Sequence, residues 1–105
     1  MSGGGSSGSY GSGPSGSDCN IIVTVPLNSP KPSVVSGIKV DDVLNVELDS
    51  EGKTVLAKTT KGAIAGSLTP AELADLIDCL KKGVKYSATV VKRQGGTIHV
   101  EIRRR

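Results

Sequence analysis

The chain has 105 residues, with 13 Lys and Arg against 10 Asp and Glu, giving a formal net charge of +3. This length suits one small domain, and no apolar run approaches the ~20 residues that cross a bilayer, which excludes a transmembrane helix. The first residues lack the basic stretch and apolar core of a signal peptide, which predicts a cytoplasmic protein without a membrane partner.

Residues 1–17 contain seven Gly and seven Ser, and such a composition predicts a disordered tail. The folded domain is therefore expected over residues 18–105. With no Phe and no Trp in the chain, its core must be built from Val, Ile, Leu and Ala.

The first strand is predicted at Asn20–Val25, where β-branched residues dominate. Three prolines between positions 26 and 32 then predict an extended, non-helical connection. Val34 and Val35 suggest a short strand before Gly37.

Three further strands are predicted in the centre of the chain. Val43 to Leu48 alternates apolar and polar residues, a period of two that is typical of a half-buried strand. Residues 49–52 have the composition of a turn, and strands follow at Lys53–Thr60 and Ala63–Leu68.

A helix is predicted to begin at Thr69. Thr69 suits the N-cap, Pro70 the first helical position, and Glu72 completes a capping box. Gly83 is positioned to end the helix. Apolar residues at i, i+3, i+4 and i+7 form one stripe, which comprises Leu73, Leu76, Ile77 and Leu80.

The chain is predicted to finish with a β-hairpin that turns at Gln94-Gly95-Gly96. Its inward residues alternate along both strands and are Tyr86, Ala88, Val90, Ile98, Val100 and Ile102. The order of elements predicts a mainly β fold with one helix. We expect a small curved β-barrel of the SH3 or OB type with the helix across one opening.

Residues 37–103 resemble the HIRAN domain family. The segments that carry the resemblance are Ile38–Leu44, where Asp41 stands at a position typically occupied by glycine, Ala63–Ala74, and Gly83 with the closing hairpin. The resemblance implies a HIRAN-like barrel, and some members of that family hold the end of a single DNA strand.

No catalytic or metal site is predicted. Cys19 and Cys79 are too few for a disulfide framework, so Cys79 is expected to be a small apolar residue beside the helix stripe, and Cys19 to start the first strand. His99 is the one histidine, and zinc normally needs four closely arranged ligands. We therefore expect no enzyme activity, no metal and no cofactor.

The charge is divided unevenly along the chain. Residues 18–78 carry five Lys against nine acids, whereas residues 79–105 carry eight basic residues against Glu101 alone. Such asymmetry is typical of proteins that bind an anionic partner. A solvated basic surface that only aids solubility would have the same composition. The candidate binding residues are Lys81, Lys82, Lys85, Arg93, His99, Arg103, Arg104 and Arg105.

Two functions fit these observations. The first is weak, largely sequence-independent binding of single-stranded nucleic acid, DNA in particular, by an outward-facing basic hairpin. The second is a protein-interaction or adaptor subunit of a larger bacterial complex, with the tail as a tether and a strand edge as the docking surface. The sequence leaves the oligomeric state open.

Overall fold

A single antiparallel sheet of six strands forms most of the fold in the computed structural model, which describes residues 19–105. The predicted tail at residues 1–17 lies outside the described residues. The elements are β1 (Ile22–Pro26), α1 (Pro32–Val35), β2 (Val43–Leu48), β3 (Val55–Lys58), β4 (Ile64–Leu68), α2 (Leu73–Lys81), β5 (Tyr86–Gln94) and β6 (Thr97–Arg104). The strand order is β1-β6-β5-β2-β3-β4.

The sheet curls into a half-barrel, which confirms the predicted mainly β class with one substantial helix. The chain leaving β1 crosses to the far edge of the sheet, where Asn28 pairs with Ser67 of β4. A Cβ atom on Gly66 would lie 2.8 Å from the carbonyl oxygen of Asn28, so glycine is required at this close approach. The segment after β1 therefore covers the outer edge of β4.

The core lies on the inner side of the curled sheet and is built mostly from Val, Ile, Leu and Ala, with Tyr86 and the two cysteines added. Tyr86 is the largest side chain in it, and the Tyr86 hydroxyl donates a hydrogen bond to the carbonyl of Cys19. This hydrogen bond satisfies the phenol in an apolar setting. The side chains with no exposed surface are Val55, Ala57, Ala65, Leu68, Leu76, Cys79, Ala88, Val90, Val100 and Ile102.

The strands occur where the sequence predicted them, with small differences at their ends. β2 has the predicted bounds, and β1 is displaced toward Pro26. β3 and β4 are shorter than predicted, because residues 59–63 form the connection between them.

The short strand predicted at Val34 and Val35 is wrong, because both residues belong to the one-turn helix α1. Pro32 occupies the first turn of that helix, where its fixed φ is compatible with helical geometry and its missing N–H would have no partner. The connection is therefore not extended throughout, and α1 packs against β4.

The capping box predicted at Thr69 is also wrong. α2 begins at Leu73, with Glu72 at the N-cap position and no side-chain cap. The Thr69 hydroxyl instead accepts a hydrogen bond from the side-chain amide of Asn28. Thr69 therefore ties the connection after β1 to the end of β4, a role that only the tertiary structure defines.

The predicted end of α2 is confirmed. Gly83 has φ +93°, the left-handed conformation that glycine adopts without strain. The N–H groups of Gly83 and Val84 donate to the carbonyls of Leu80 (3.0 Å) and Cys79 (3.1 Å). These two bonds form a Schellman motif, which turns the chain directly from α2 toward β5.

Cys79 is buried beside the helix stripe, as expected, but it does not act only as a small apolar residue, because it forms a disulfide with Cys19. Cys19 precedes the first strand, which begins at Ile22. Cys79 follows Leu76 by three residues and lies on the same buried side of α2. The bridge joins the residues before β1 to α2 across 60 positions of sequence. It therefore fastens the helix to the first edge of the sheet.

Neither helix in residues 19–105 has the length and hydrophobicity needed to cross a lipid bilayer.

Candidate nucleic-acid interface

The β5–β6 hairpin carries the predicted binding residues, and its geometry follows from one turn and one bulge. Gly95 has φ +60° in the two-residue turn, as the sequence predicted. Between Val90 and Lys92 the register shifts, so that Val90 pairs with Val100 and Lys92 pairs with His99. Val91 is the additional residue of the bulge and is 44% exposed.

The bulge reverses which residues of β5 face outward beyond Val91. Arg93 pairs with Ile98, which is buried, and therefore lies on the inner side of the hairpin. The Arg93 guanidinium donates to the carbonyl of Val35 at 2.9 Å and to the carbonyl of Ile38. The predicted outward orientation of Arg93 is thus wrong, and its charge is used to fasten the end of α1 to the hairpin.

Lys92 occupies the outward position that the sequence pattern gave to Arg93. It pairs with His99 on the outer face and is exposed. Sequence reasoning missed Lys92 because strict alternation from Tyr86 gives it inward parity. The pair Val90-Val91 offered no signal for the bulge, because either valine suits the core.

Beyond the outward pair Gln94–Thr97 that flanks the turn, the outward residues of the hairpin form four rows across the two strands. These four rows together with Thr97 are called here the outer hairpin face. Successive rows are about 7 Å apart, the length of two residues in a strand. From the turn toward the chain end, the rows are Lys92 with His99, Thr89 with Glu101, Ser87 with Arg103, and Lys85 with Arg105.

Charge on this face is positive but interrupted. Glu101 lies in the second row, and its carboxylate is 4.0 Å from the guanidinium of Arg103. Both side chains are partly exposed, so their attraction is weak and leaves Arg103 able to contact another anion. Within residues 19–105, Lys85 and Lys92 have no carboxylate within ion-pair distance. Arg105 donates a hydrogen bond to the side chain of Asn45.

The remaining predicted binding residues lie beside the outer hairpin face. Arg104 pairs with buried Tyr86 and reaches the side chain of Asn20 at 3.4 Å. Lys82 forms an ion pair with Asp78 at 3.0 Å. The Lys81 side chain lies against Gly52 in the turn between β2 and β3. The two helix lysines therefore have local contacts and do not simply extend the row of basic residues.

His99 lies on the outer side of β6 between Pro26 of β1 and Lys92 of β5. The residue is half-buried, and its Nδ1 atom is buried without a hydrogen-bond partner in the described part of the chain. The neighbouring strands therefore cover part of the ring.

Residues 19–105 contain neither a candidate metal-binding cluster nor a free thiol. No group of three or more His, Cys, Asp or Glu residues there could hold a metal ion. Both cysteines are in the disulfide. One oxygen of Asp42 accepts the Lys39 backbone N–H at 2.9 Å, which assigns that carboxylate to a local turn.

A groove of about 640 Å³ lies between α1, the start of β2 and the β3–β4 connection. It has an apolar floor that includes Val34, Ile38 and Leu44, with Asp42 and Lys61 among its polar rim residues. The groove is open, and it holds no constellation of a nucleophile with a base.

No family model matches the chain, and comparison with curated proteins and with solved structures finds no significant relative.

Proposed function

We propose that the domain is a non-enzymatic binding module that holds single-stranded nucleic acid through the outer hairpin face. The observation that carries the proposal is the row geometry, with Lys92, Arg103, Lys85 and Arg105 placed along one side of the hairpin. These side chains are exposed, and they lie on the β5–β6 hairpin or next to its ends. A polyanion lying along the hairpin would meet positive charge at both ends of the face.

The composition of the face favours contacts to phosphate over contacts to bases. Ser87, Thr89 and Thr97 add hydroxyl groups that can donate to phosphate oxygens. Tyr86, the one tyrosine among the described residues, is 1% exposed and faces the core. Because the outer hairpin face carries no Phe, Tyr or Trp ring for stacking, binding is expected to be weak, salt-dependent and similar for different base sequences.

Nucleic-acid binding is tested by the affinity for a fluorescent single-stranded oligonucleotide, measured by anisotropy at low salt. The test variant changes Lys85, Lys92 and Arg103 together to Gln. The matched control changes Lys31, Lys53 and Lys61 to Gln. These are exposed lysines outside the hairpin, so the control variant has the same net charge as the test variant. Greater weakening in the hairpin variant is the expected result. Equal weakening in both variants, or no binding by the parent, would reject the proposal.

A second function, protein interaction, is favoured by exposed apolar residues near the groove. Val40, Val43 and Val91 are 48%, 48% and 44% exposed, and the Asp41 N–H bonds to the Val90 carbonyl, which brings their segments together. Such residues are typical of contact surfaces. Val43→Ser would weaken capture of a protein partner and leave oligonucleotide affinity unchanged.

The disulfide bears on the compartment in which this module works. Disulfides persist in oxidising compartments and are rare in the cytosol, so the Cys19–Cys79 bond favours an extracytoplasmic location over the cytoplasmic one expected from the sequence. Thiol blocking of intact cells followed by mass spectrometry tests this point. A fully alkylated pair of cysteines would support the cytoplasmic location.

A further inference from the structure

An uncovered aliphatic side chain of β1 borders the outer hairpin face. Ile22 pairs with Arg103 in the β1–β6 ladder, and directly opposed residues of an antiparallel pair point to the same face of a sheet. Ile22 therefore lies on the outer side, whereas Val23 pairs with buried Ile102 and points inward. At 59% exposure, Ile22 is the most exposed large apolar side chain in residues 19–105.

Ile22 forms one wall of a cleft of about 330 Å³, called here the Ile22 cleft. The other residues that line the cleft are Asn20, Arg103 and Arg104, and none of them is acidic. The cleft therefore combines two guanidinium groups and a side-chain amide with an aliphatic surface. Arg103 belongs both to the cleft and to the third row of the outer hairpin face, so the two surfaces are continuous.

The occupant that this combination fits is an anion that also carries an apolar, planar group. A guanidinium group binds phosphate oxygens through paired N–H donors. Covering Ile22 removes apolar surface from water, which favours a ligand with an accessible ring face. An unpaired nucleotide offers the phosphate and the ring in one unit. In a duplex the bases are stacked on each other, and the outside offers phosphates and only the edges of the bases.

We propose that the Ile22 cleft takes one unpaired nucleotide of a strand that lies along the outer hairpin face, with its phosphate on Arg103 and its base against Ile22. This inference rests on the proposed function. It adds that Ile22 contributes to the binding of single strands and not to the binding of duplexes. The size of the cleft, at the lower end of the range of about 300–1,000 Å³ for small-molecule sites, suits one nucleotide and not several.

The base contact is independent of base sequence and of salt. Every base has a ring face, so an aliphatic side chain packs against any of them. Ile22 carries no charge and displaces no counterion, and its loss therefore leaves the salt slope of binding unchanged. Covering about 40 Å² of its side chain corresponds to a factor of about five in affinity.

The test compares an ordinary single-stranded oligonucleotide with an abasic one that has the same number of phosphates, by anisotropy at low salt. The parent is expected to bind the ordinary strand about fivefold more tightly. Ile22→Ser should lose this preference and keep both the affinity for the abasic strand and the salt slope. Val43→Ser is the matched control, because Val43 is also exposed and lies in β2 on the other side of the hairpin. It should keep the parent's preference.

A gain of affinity checks the same contact without the risk of a folding defect. Ile22→Tyr supplies an aromatic ring and should strengthen binding of the ordinary strand only. Duplex affinity should be the same for the parent and Ile22→Ser. Equal affinity of the parent for the ordinary and abasic strands, or an unchanged preference in Ile22→Ser, overturns this inference and leaves phosphate binding by the hairpin in place. Binding of neither strand by the parent rejects the proposed function and this inference with it.

Discussion

The inner and outer faces of the β5–β6 hairpin use alternate residues of the same two strands, yet they meet very different constraints. On the inner face, Tyr86, Val100 and Ile102 are at most 1% exposed and pack in the core. On the outer face, the paired residues Thr89 and Glu101 are partly exposed and do not belong to the hydrophobic core. Burial therefore fixes the inner residues, whereas the outer residues are free to serve binding.

The bulge at Val91 shows how much depends on this division. One additional residue moves Lys92 to the outer face and turns Arg93 toward α1. Two adjacent basic residues thus acquire different tasks, the first available to a partner and the second bonded to backbone carbonyls. Charge count alone does not distinguish them.

The largest expected difference between the two faces is the loss of unfolding free energy when a side chain is shortened. Ile102→Ala should lower the free energy of unfolding by about 2–5 kcal/mol, because it opens a cavity in the core. Thr89→Ala, on the outer face of the same hairpin, should change it by less than about 0.5 kcal/mol. Urea denaturation measures both. Similar losses in the two variants would show that the outer face is also packed.

The disulfide should contribute slightly less than the best core side chains. Replacing Cys19 and Cys79 with Ser should lower stability by about 2–4 kcal/mol, because the unfolded chain gains conformational freedom. The parent in reductant should match the double variant, and the double variant should be insensitive to reductant. A parent melting temperature that does not change in reductant would contradict the structural role of the bond.

Arg93 and Lys92 provide the sharpest test of the bulge. Arg93→Gln should cost about 1 kcal/mol, because the Val35 and Ile38 carbonyls lose a charged donor. Lys92→Gln should leave the free energy of unfolding within about 0.5 kcal/mol of the parent. Chemical denaturation measures the loss of unfolding free energy in both variants. A larger loss in Lys92→Gln than in Arg93→Gln would contradict the position assigned to the bulge.

The smallest expected effect on stability concerns Asp49, a partly exposed residue whose carboxylate is hydrogen-bonded within its own turn. The Lys53 and Thr54 N–H groups donate to its carboxylate at 3.0 and 3.2 Å, and these bonds hold the pKa of Asp49 below its ordinary value. A lowered pKa in the folded state stabilises the protein above the unfolded pKa, and this contribution is lost as pH falls through the folded value.

Thermal melts at acidic pH should show this loss in the parent and a flatter pH dependence in Asp49→Asn. Glu51→Gln, in the same turn, serves as the control and should melt like the parent. Identical pH profiles for the parent and Asp49→Asn would show that the bonds to Asp49 do not contribute.

The strands, the turn at Gly95 and the end of α2 at Gly83 could be predicted because local chemistry determines them. Apolar–polar alternation indicates which residues of a strand are buried, and turns that need a positive φ favour glycine. The start of α2 could not be predicted, since Thr69 bonds to Asn28, which is 41 positions away. The disulfide joins residues 60 positions apart, and nothing in their local sequences indicates the pairing.

Much of the candidate interface was predictable for the same reason. Lys85, His99 and Arg103 lie on the outer face, as strict alternation predicted. The bulge exchanges the predicted orientations of Lys92 and Arg93. A bulge depends on how two strands pair across the sheet. Its position could not be predicted here because either of the adjacent valines, Val90 or Val91, could face the core.

The salt dependence of oligonucleotide binding tests the central claim, that the outer hairpin face contacts phosphates. On a log–log plot the affinity should fall linearly, with a slope of about 0.7 for each phosphate neutralised on a single strand. Changing Lys85, Lys92 and Arg103 together to Gln should flatten that slope by about two, whereas the Lys31, Lys53 and Lys61 control should keep the parent slope. A hairpin variant with the parent slope would contradict the account.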